Sequence, residues 1–354
     1  MTKISTKFLC VVLSVAMLIV SLPMYAFAVD LTDDETESVL SEQNTEASEQ
    51  VIELTDKRSA DTKQFKLSDG SYYIAQYTTD IHYLDENGVW QDIDNTLSVS
   101  GNEITTSNAK IKFAKKTGGN GSLFTLHDGS YKLELSLDGA EKKIEGRITN
   151  NTSELGEDAT ELQKMTTLNK ISASVIYENI LDSTDLEYVI KGLNIKENII
   201  VKSRSDSYTY SFTLALNNLS ARMNEKGEIL ISDTSTNESV YSIPAPVMWD
   251  ANNVTSNDVS MTLTDLGNGK YTLNITADST WMNASERAYP VTIDPPIYHQ
   301  GGASSVIDMT LYLDDPTYTY PGGSSLAVDD EYCKSIWKVV NLPTLPYSSY
   351  ITNA

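Results

Sequence analysis

With 354 residues the chain has room for two or three domains. Its 49 acidic against 26 basic side chains give a formal net charge of −23, which repels nucleic acid and anionic membrane surfaces and excludes a nonspecific binder of either. Two cysteines exclude a disulfide-rich scaffold.

The N-terminus has the make-up of a secretory signal peptide. Lys3 and Lys7 precede the apolar run FLCVVLSVAMLIVSLPM, and Ala26 and Ala28 form the small-x-small exit that signal peptidases accept. Cleavage is expected between Ala28 and Val29, with residues 1–28 as the signal peptide. The rival reading is an uncleaved anchor, since the apolar run approaches the length of a span. Pro23 and the absence of a basic stop signal favour processing. Cys10 lies too early to become a lipid-bearing mature N-terminus, and its removal leaves Cys333 alone. The product is therefore expected outside the cell, secreted or wall-associated, with no stable membrane insertion and no internal disulfide.

Residues 29–60 read as a disordered acidic linker. The stretch from Val29 to Arg58 holds ten acids before its first base, Lys57, and has no glycine or aromatic residue. Such a composition buries too little surface to offset chain entropy.

Residues 61–297 form the β-rich N-terminal module. The runs SYYIAQY, KLELSL, LEYVIKG, NIIVKS, YTYSFTLAL, GEILIS, VSMTLT, KYTLNI and YPVTID alternate and favour strand formers. SDGS, HDGS, NEKGE and DLGNGK between them are turn signals. Leu67–Tyr72 and Leu126–Tyr131 nearly repeat, as a reused turn. APVMWDANN, residues 245–253, suits an edge or connecting segment, and GEDATELQKM, residues 156–165, alone has helical character. HYLDENGVWQDIDNTL, residues 82–97, reads as a hairpin with the four-residue turn Asp85–Gly88, pairing Leu84 with Val89 and Tyr83 with Trp90. The fold class is all-β, an antiparallel sandwich. Residues 298–354 make a second segment, short for an unaided sandwich.

Three stretches, residues 63–97, 174–203 and 286–297 (ERAYPVTIDPPI), resemble the N-terminal region of large secreted bacterial proteins of the Rhs, or YD-repeat, wall-associated type. Residues 304–346 look like the start of a DNRLRE module, with Lys334-Ser-Ile-Trp-Lys-Val-Val-Asn-Leu-Pro343 and Leu345-Pro346 matching its outline. Lys334 stands where arginine is usual, and the module is incomplete. The resemblance implies a truncated carbohydrate-binding-like β-sandwich at residues 298–354.

Catalytic chemistry finds little footing. There is no Gly-x-Ser-x-Gly, and His82, His127 and His299 suit structural roles. Cys333 sits in a predicted strand as an inert thiol. No HExxH, CxxC pair or phosphate-cradling loop occurs. An EF-hand alignment on Gly88 puts Tyr83 where the first carboxylate belongs and Asp94 where a bidentate Glu belongs, so it fails. Looser calcium sites stay open at Asp314-Asp315 and Asp329-Asp330-Glu331, and Asp92 and Asp94 beside Trp90 are left as a sugar or cation edge. Twenty tyrosines against six phenylalanines suit a half-wet sheet face, and the Tyr-rich residues 314–323 suit a contact surface.

The sequence thus leads to a secreted, non-catalytic surface protein with no catalytic, cofactor-binding or metal-ligating residue assigned, no cofactor beyond that calcium option, and no nucleic-acid partner. Its expected partner is cell-wall glycan or polysaccharide, or the downstream modules of a larger polypeptide for which it is a platform. Two alternatives stand beside this. One is the export and encapsulation segment of a polymorphic toxin; the other is a polysaccharide-active enzyme with paired carboxylates.

Overall fold

Every run expected as a strand is one, because each alternates between large apolar and polar residues over the length of a sheet crossing. The computed structural model describes residues 50–118 and 122–299 with their side chains, and the backbone of 24–29, 306–312, 315–321, 333–339 and 350–351. Among the described residues the fold is all-β and every strand pairing is antiparallel. No helix among them is long and apolar enough to cross a membrane.

The chain divides into two units. One comprises residues 91–153 and 168–302. Its first large sheet has eight strands, in the spatial order Val259–Gly267, Lys270–Ala277, Thr209–Asn217, Tyr131–Leu137, Phe124–Asp128, Ile111–Ala114, Glu103–Thr106 and Leu97–Ser100. The second has seven, in the order Arg147–Asn150, Ser172–Leu181, Thr184–Lys191, Asn194–Val201, Val291–Asp294, Val247–Trp249 and Thr255–Ser256. The inward residues of both sheets share one core, which makes the unit a sandwich. At its centre Tyr188 stacks on Phe124 with ring centroids 5.6 Å apart and lies 5.4 Å from Phe113. Tyr177 crosses the same layer to donate its hydroxyl to the Ala114 carbonyl at 2.5 Å. A smaller sheet of Leu219–Met223, Ile229–Asp233, Ser239–Ile243 and Tyr298–His299 completes the unit.

The other unit comprises residues 1–90, 154–167 and 303–354. Ile52–Glu53, Thr62–Lys66 and Tyr72–Gln76 pair in sequence order, and the backbone of Met24–Val29, which contains the expected cleavage bond, lies beside Tyr72–Gln76. Phe65 and Tyr73 pack with centroids 6.1 Å apart. The expected helix is present as Glu161–Thr166, started by a capping box between Thr160 and Gln163. Tyr77 ties it down by donating to the Thr166 carbonyl at 2.6 Å.

Three expectations are corrected. Residues 50–60, assigned to the disordered linker, hold the strand Ile52–Glu53 and a 3-10 turn at Thr55–Lys57. Arg58 grips Glu53 there, with Nε to Oε1 at 2.7 Å and Nη2 to Oε2 at 3.1 Å, so a local ion pair organises what composition alone reads as spacer. The hairpin at residues 82–92 is one residue out of the expected register. Asp85 N–H donates to the Val89 carbonyl at 3.0 Å, leaving a three-residue loop in which Gly88 adopts φ +72°. Trp90 consequently meets His82, at 6.5 Å, instead of Tyr83. Finally, the near-repeated turns differ. Leu67 N–H bonds the Ser71 carbonyl across a longer loop, whereas Asp128 pairs directly with Tyr131.

The expected module at 61–297 spans parts of both units. The remaining linker residues 30–49, the calcium candidates Asp314, Asp329, Asp330 and Glu331, and the side chains of Asp315 and Cys333 lie outside the described residues.

Candidate functional site

The outward face of the eight-stranded sheet carries a cleft of about 1110 Å³. Its floor follows from strand alternation. Ile111, Phe113, Phe124, Leu126, Leu133 and Leu135 turn into the core, so Lys112, Thr125, His127, Lys132, Glu134 and Ser136 turn out. Residues 115–118 form one wall. Thr117 fixes them to the 141–145 turn, its N–H bonding the Ile144 carbonyl at 2.9 Å while its carbonyl accepts from Lys143 N–H at 3.0 Å. Gly118 lets the Lys142 stem lie across it, for a Cβ there would sit 2.7 Å from Lys142 Cγ.

The cleft is cationic in an acidic chain. Lys112, Lys115, Lys116, Lys132 and Lys142 line it, against Glu103, Glu134 and Asp138. Those acids are engaged: Glu103 pairs with Lys112 at 3.1 Å, and Glu134 with Lys132 at 2.8 Å. Asp138 accepts from Ser211 at 3.0 Å and Thr213 at 3.2 Å. Lys116 pairs with Glu145 at 2.7 Å, and this contact with the Lys115 field holds the Glu145 carboxyl below its ordinary range. Lys115 and Lys142 make no ion-pair contact among the described residues.

The residues singled out in the sequence do not converge. His82 is buried, its Nδ1 2.6 Å from the Ser59 carbonyl. His127 stands on the cleft floor, and His299 packs edge-on to Tyr241 at 5.6 Å. Asp92 is exposed, and Asp94 pairs with Lys170 at 3.0 Å. The Asp85 carboxylate is spent on its own loop, accepting from the amides of Asn87 at 2.9 Å and Val89 at 3.0 Å. No group of three or more His, Cys, Asp or Glu able to hold a metal ion occurs among the described residues.

Two polar features of the core were not foreseen. Glu197 is buried opposite Tyr188, and burial pushes its carboxyl up to about 8, with the nearby Asp294 adding to the rise. Asp294 is itself raised by burial, opposed by Lys196 at 2.8 Å, whose ammonium also sits 4.8 Å over the Trp249 ring. Asp250 and Arg287 form a buried ion pair at 2.7 Å. The parity of Ile195, Ile199 and Val201 marks the inward side of that strand and would have placed Glu197 there. The lysine cleft had no such signal, since its members lie on separate strands and loops.

No protein-family model and no solved structure matches the chain. Three curated bacterial proteins do. The chain is 28% identical over 282 residues to the tRNA(Glu)-specific nuclease WapA of Bacillus subtilis subsp. natto, covering 75% of this chain and 11% of that protein. It is 29% identical over 282 residues to the tRNA3(Ser)-specific nuclease WapA of Bacillus spizizenii, covering 75% of this chain and 12% of the relative. It is 29% identical over 280 residues to the tRNA nuclease WapA of Bacillus subtilis strain 168, covering 74% and 11%. The chain thus spans about a ninth of the length of the relatives it matches.

These relatives overturn the expectation of a non-catalytic glycan or cell-wall binder without a nucleic-acid partner, and with it the carbohydrate-binding description, because all three are named for cleaving tRNA. The toxin-segment alternative accords with them better.

Proposed function

We propose that this chain is the export and encapsulation segment of a polymorphic toxin whose whole polypeptide is an RNA-directed nuclease. The observation that carries the reading is the match of three-quarters of this chain to about a ninth of each of three tRNA nucleases. A sandwich with one continuous core and a secretory leader suits a carrier. In this reading the signal peptide is removed between Ala28 and Val29, and the product is secreted or held at the wall. The Rhs-type stretches and the DNRLRE-like outline of residues 304–346 belong to the same carrier.

Fusing the chain ahead of a reporter ribonuclease in a Gram-positive host tests this. The reporter is expected outside the cytoplasm and shielded from added protease, with export lost when residues 1–28 are deleted and shielding lost when residues 91–302 are deleted. A reporter retained inside the cell, or digested as fast with the chain as without it, contradicts the proposal.

A further inference from the structure

Among the described residues, five lysines of this acidic chain line one concave surface, the cleft on the eight-stranded sheet, and the carrier role leaves it unused. We infer that the cleft is a docking surface for the phosphodiester backbone of RNA. The inference rests on the reading above, that the whole polypeptide acts on RNA.

The chemistry of the lining carries it. Five lysines line the cleft, and the hydroxyls of Thr125 and Ser136 stand among them. Ammonium and hydroxyl donors together suit phosphate oxygens, which only accept. The three cleft acids are each held by a partner within the cleft or at its margin, so they are not free to repel an incoming phosphate at full strength. Glu134 is held twice, also accepting from Ser122 Oγ at 3.1 Å. The charge of Lys115 and Lys142 is the least committed, and these two flank the wall formed by residues 115–118. The Lys116–Glu145 pair is exposed on both sides and exchanges readily for a phosphate.

The same lining limits what is read. Phe113 faces the core and is 1% exposed, so the lining presents no Phe, Tyr or Trp ring on which a base would stack, and the His127 imidazole is the single ring on its floor. Lysine is a point charge without the planar fork that reads a base edge. The contact is therefore with the backbone and independent of sequence, so tRNA identity is decided elsewhere in the polypeptide.

The test uses the whole chain and fluorescein-labelled tRNA, followed by anisotropy between about 50 and 200 mM salt. Wild type is expected to bind, with affinity falling steeply as salt rises. Lys115→Glu with Lys142→Glu is expected to weaken binding at least about tenfold and to flatten the salt dependence by about two phosphate contacts. Lys191→Glu with Lys226→Glu, an equal charge change outside the cleft, is expected to leave binding unchanged. Lys115→Gln with Lys142→Gln repeats the cleft test without adding negative charge, and thermal melting checks each fold. No binding by wild type at low salt, or equal loss in both double variants, overturns the inference. Poly-glutamate competing as well as tRNA overturns it too and assigns the cleft to an acidic polypeptide. The reporter-export assay does not involve these lysines, so failure here is distinguishable from failure of the carrier reading.

Discussion

Tyr188 and Glu197 face each other across adjacent strands of the seven-stranded sheet, both shut away from solvent in the middle of the sandwich core. Neither Tyr188 Oη nor Glu197 Oε1 has a hydrogen-bond partner of good geometry among the described residues. A carboxyl in such a place stays protonated, and burial drives it to about 8. The facing hydroxyl opposes the shift, and burial wins.

The consequence is a fold that loosens as the medium turns alkaline. The folded carboxyl holds its proton up to about pH 8, whereas an exposed one releases it near 4.5. Between those values the folded state binds more protons than the unfolded state, so stability falls as pH rises through the window. Glu197→Gln removes the titration. Unfolding free energies from urea titration are expected to match wild type at pH 4 and to exceed it by about 4 kcal/mol at pH 8.

Asp250 and Arg287 make the opposite kind of buried polar pair, fully satisfied. Asp250 accepts from Arg287 Nη1 at 2.7 Å and from the amides of Asn252, Val254 and Ala288 at 2.9, 3.0 and 3.2 Å. The guanidinium lies 3.4 Å over the Trp281 ring. Asp250→Ala strands a buried cation and is expected to cost about 3–5 kcal/mol in chemical denaturation. Arg287→Lys keeps the charge but loses the flat stacking surface, and is expected to cost about 1–2 kcal/mol.

The hairpin at residues 82–92 makes a smaller prediction. Gly88 sits at φ +72° with open space where a Cβ would go, so Gly88→Ala brings backbone strain alone. The expected loss is about 1 kcal/mol in thermal or urea unfolding. Leu84 and Val89, 52% and 53% exposed, are expected to tolerate replacement by Thr within about 0.5 kcal/mol.

Much of the fold was legible because strand alternation is local. Tyr131–Leu137 reads apolar at Leu133, Leu135 and Leu137, and those side chains point inward. Registers were less legible. A three-residue loop with glycine in the left-handed region and a four-residue turn leave nearly the same sequence between the strands, and one residue decides whether Trp90 meets Tyr83 or His82. Nothing in the sequence singled out Asn95. It is 3% exposed, and its amide clasps the carbonyls of Ile171 at 2.9 Å and Gly192 at 2.8 Å, far along the chain. The cleft was invisible for the same reason. Lys112, Lys132 and Lys142 share a surface only once the sheet forms, and the overall charge of −23 hides them.

The carrier account is tested most directly by tRNA integrity in target cells mixed with cells producing the whole polypeptide. Deleting residues 91–302 from the producer's gene is expected to leave target-cell tRNA intact, while the purified deletion product still cleaves tRNA in solution. Undiminished tRNA cleavage in target cells after that deletion, or no tRNA cleavage by the purified whole polypeptide, would contradict the account.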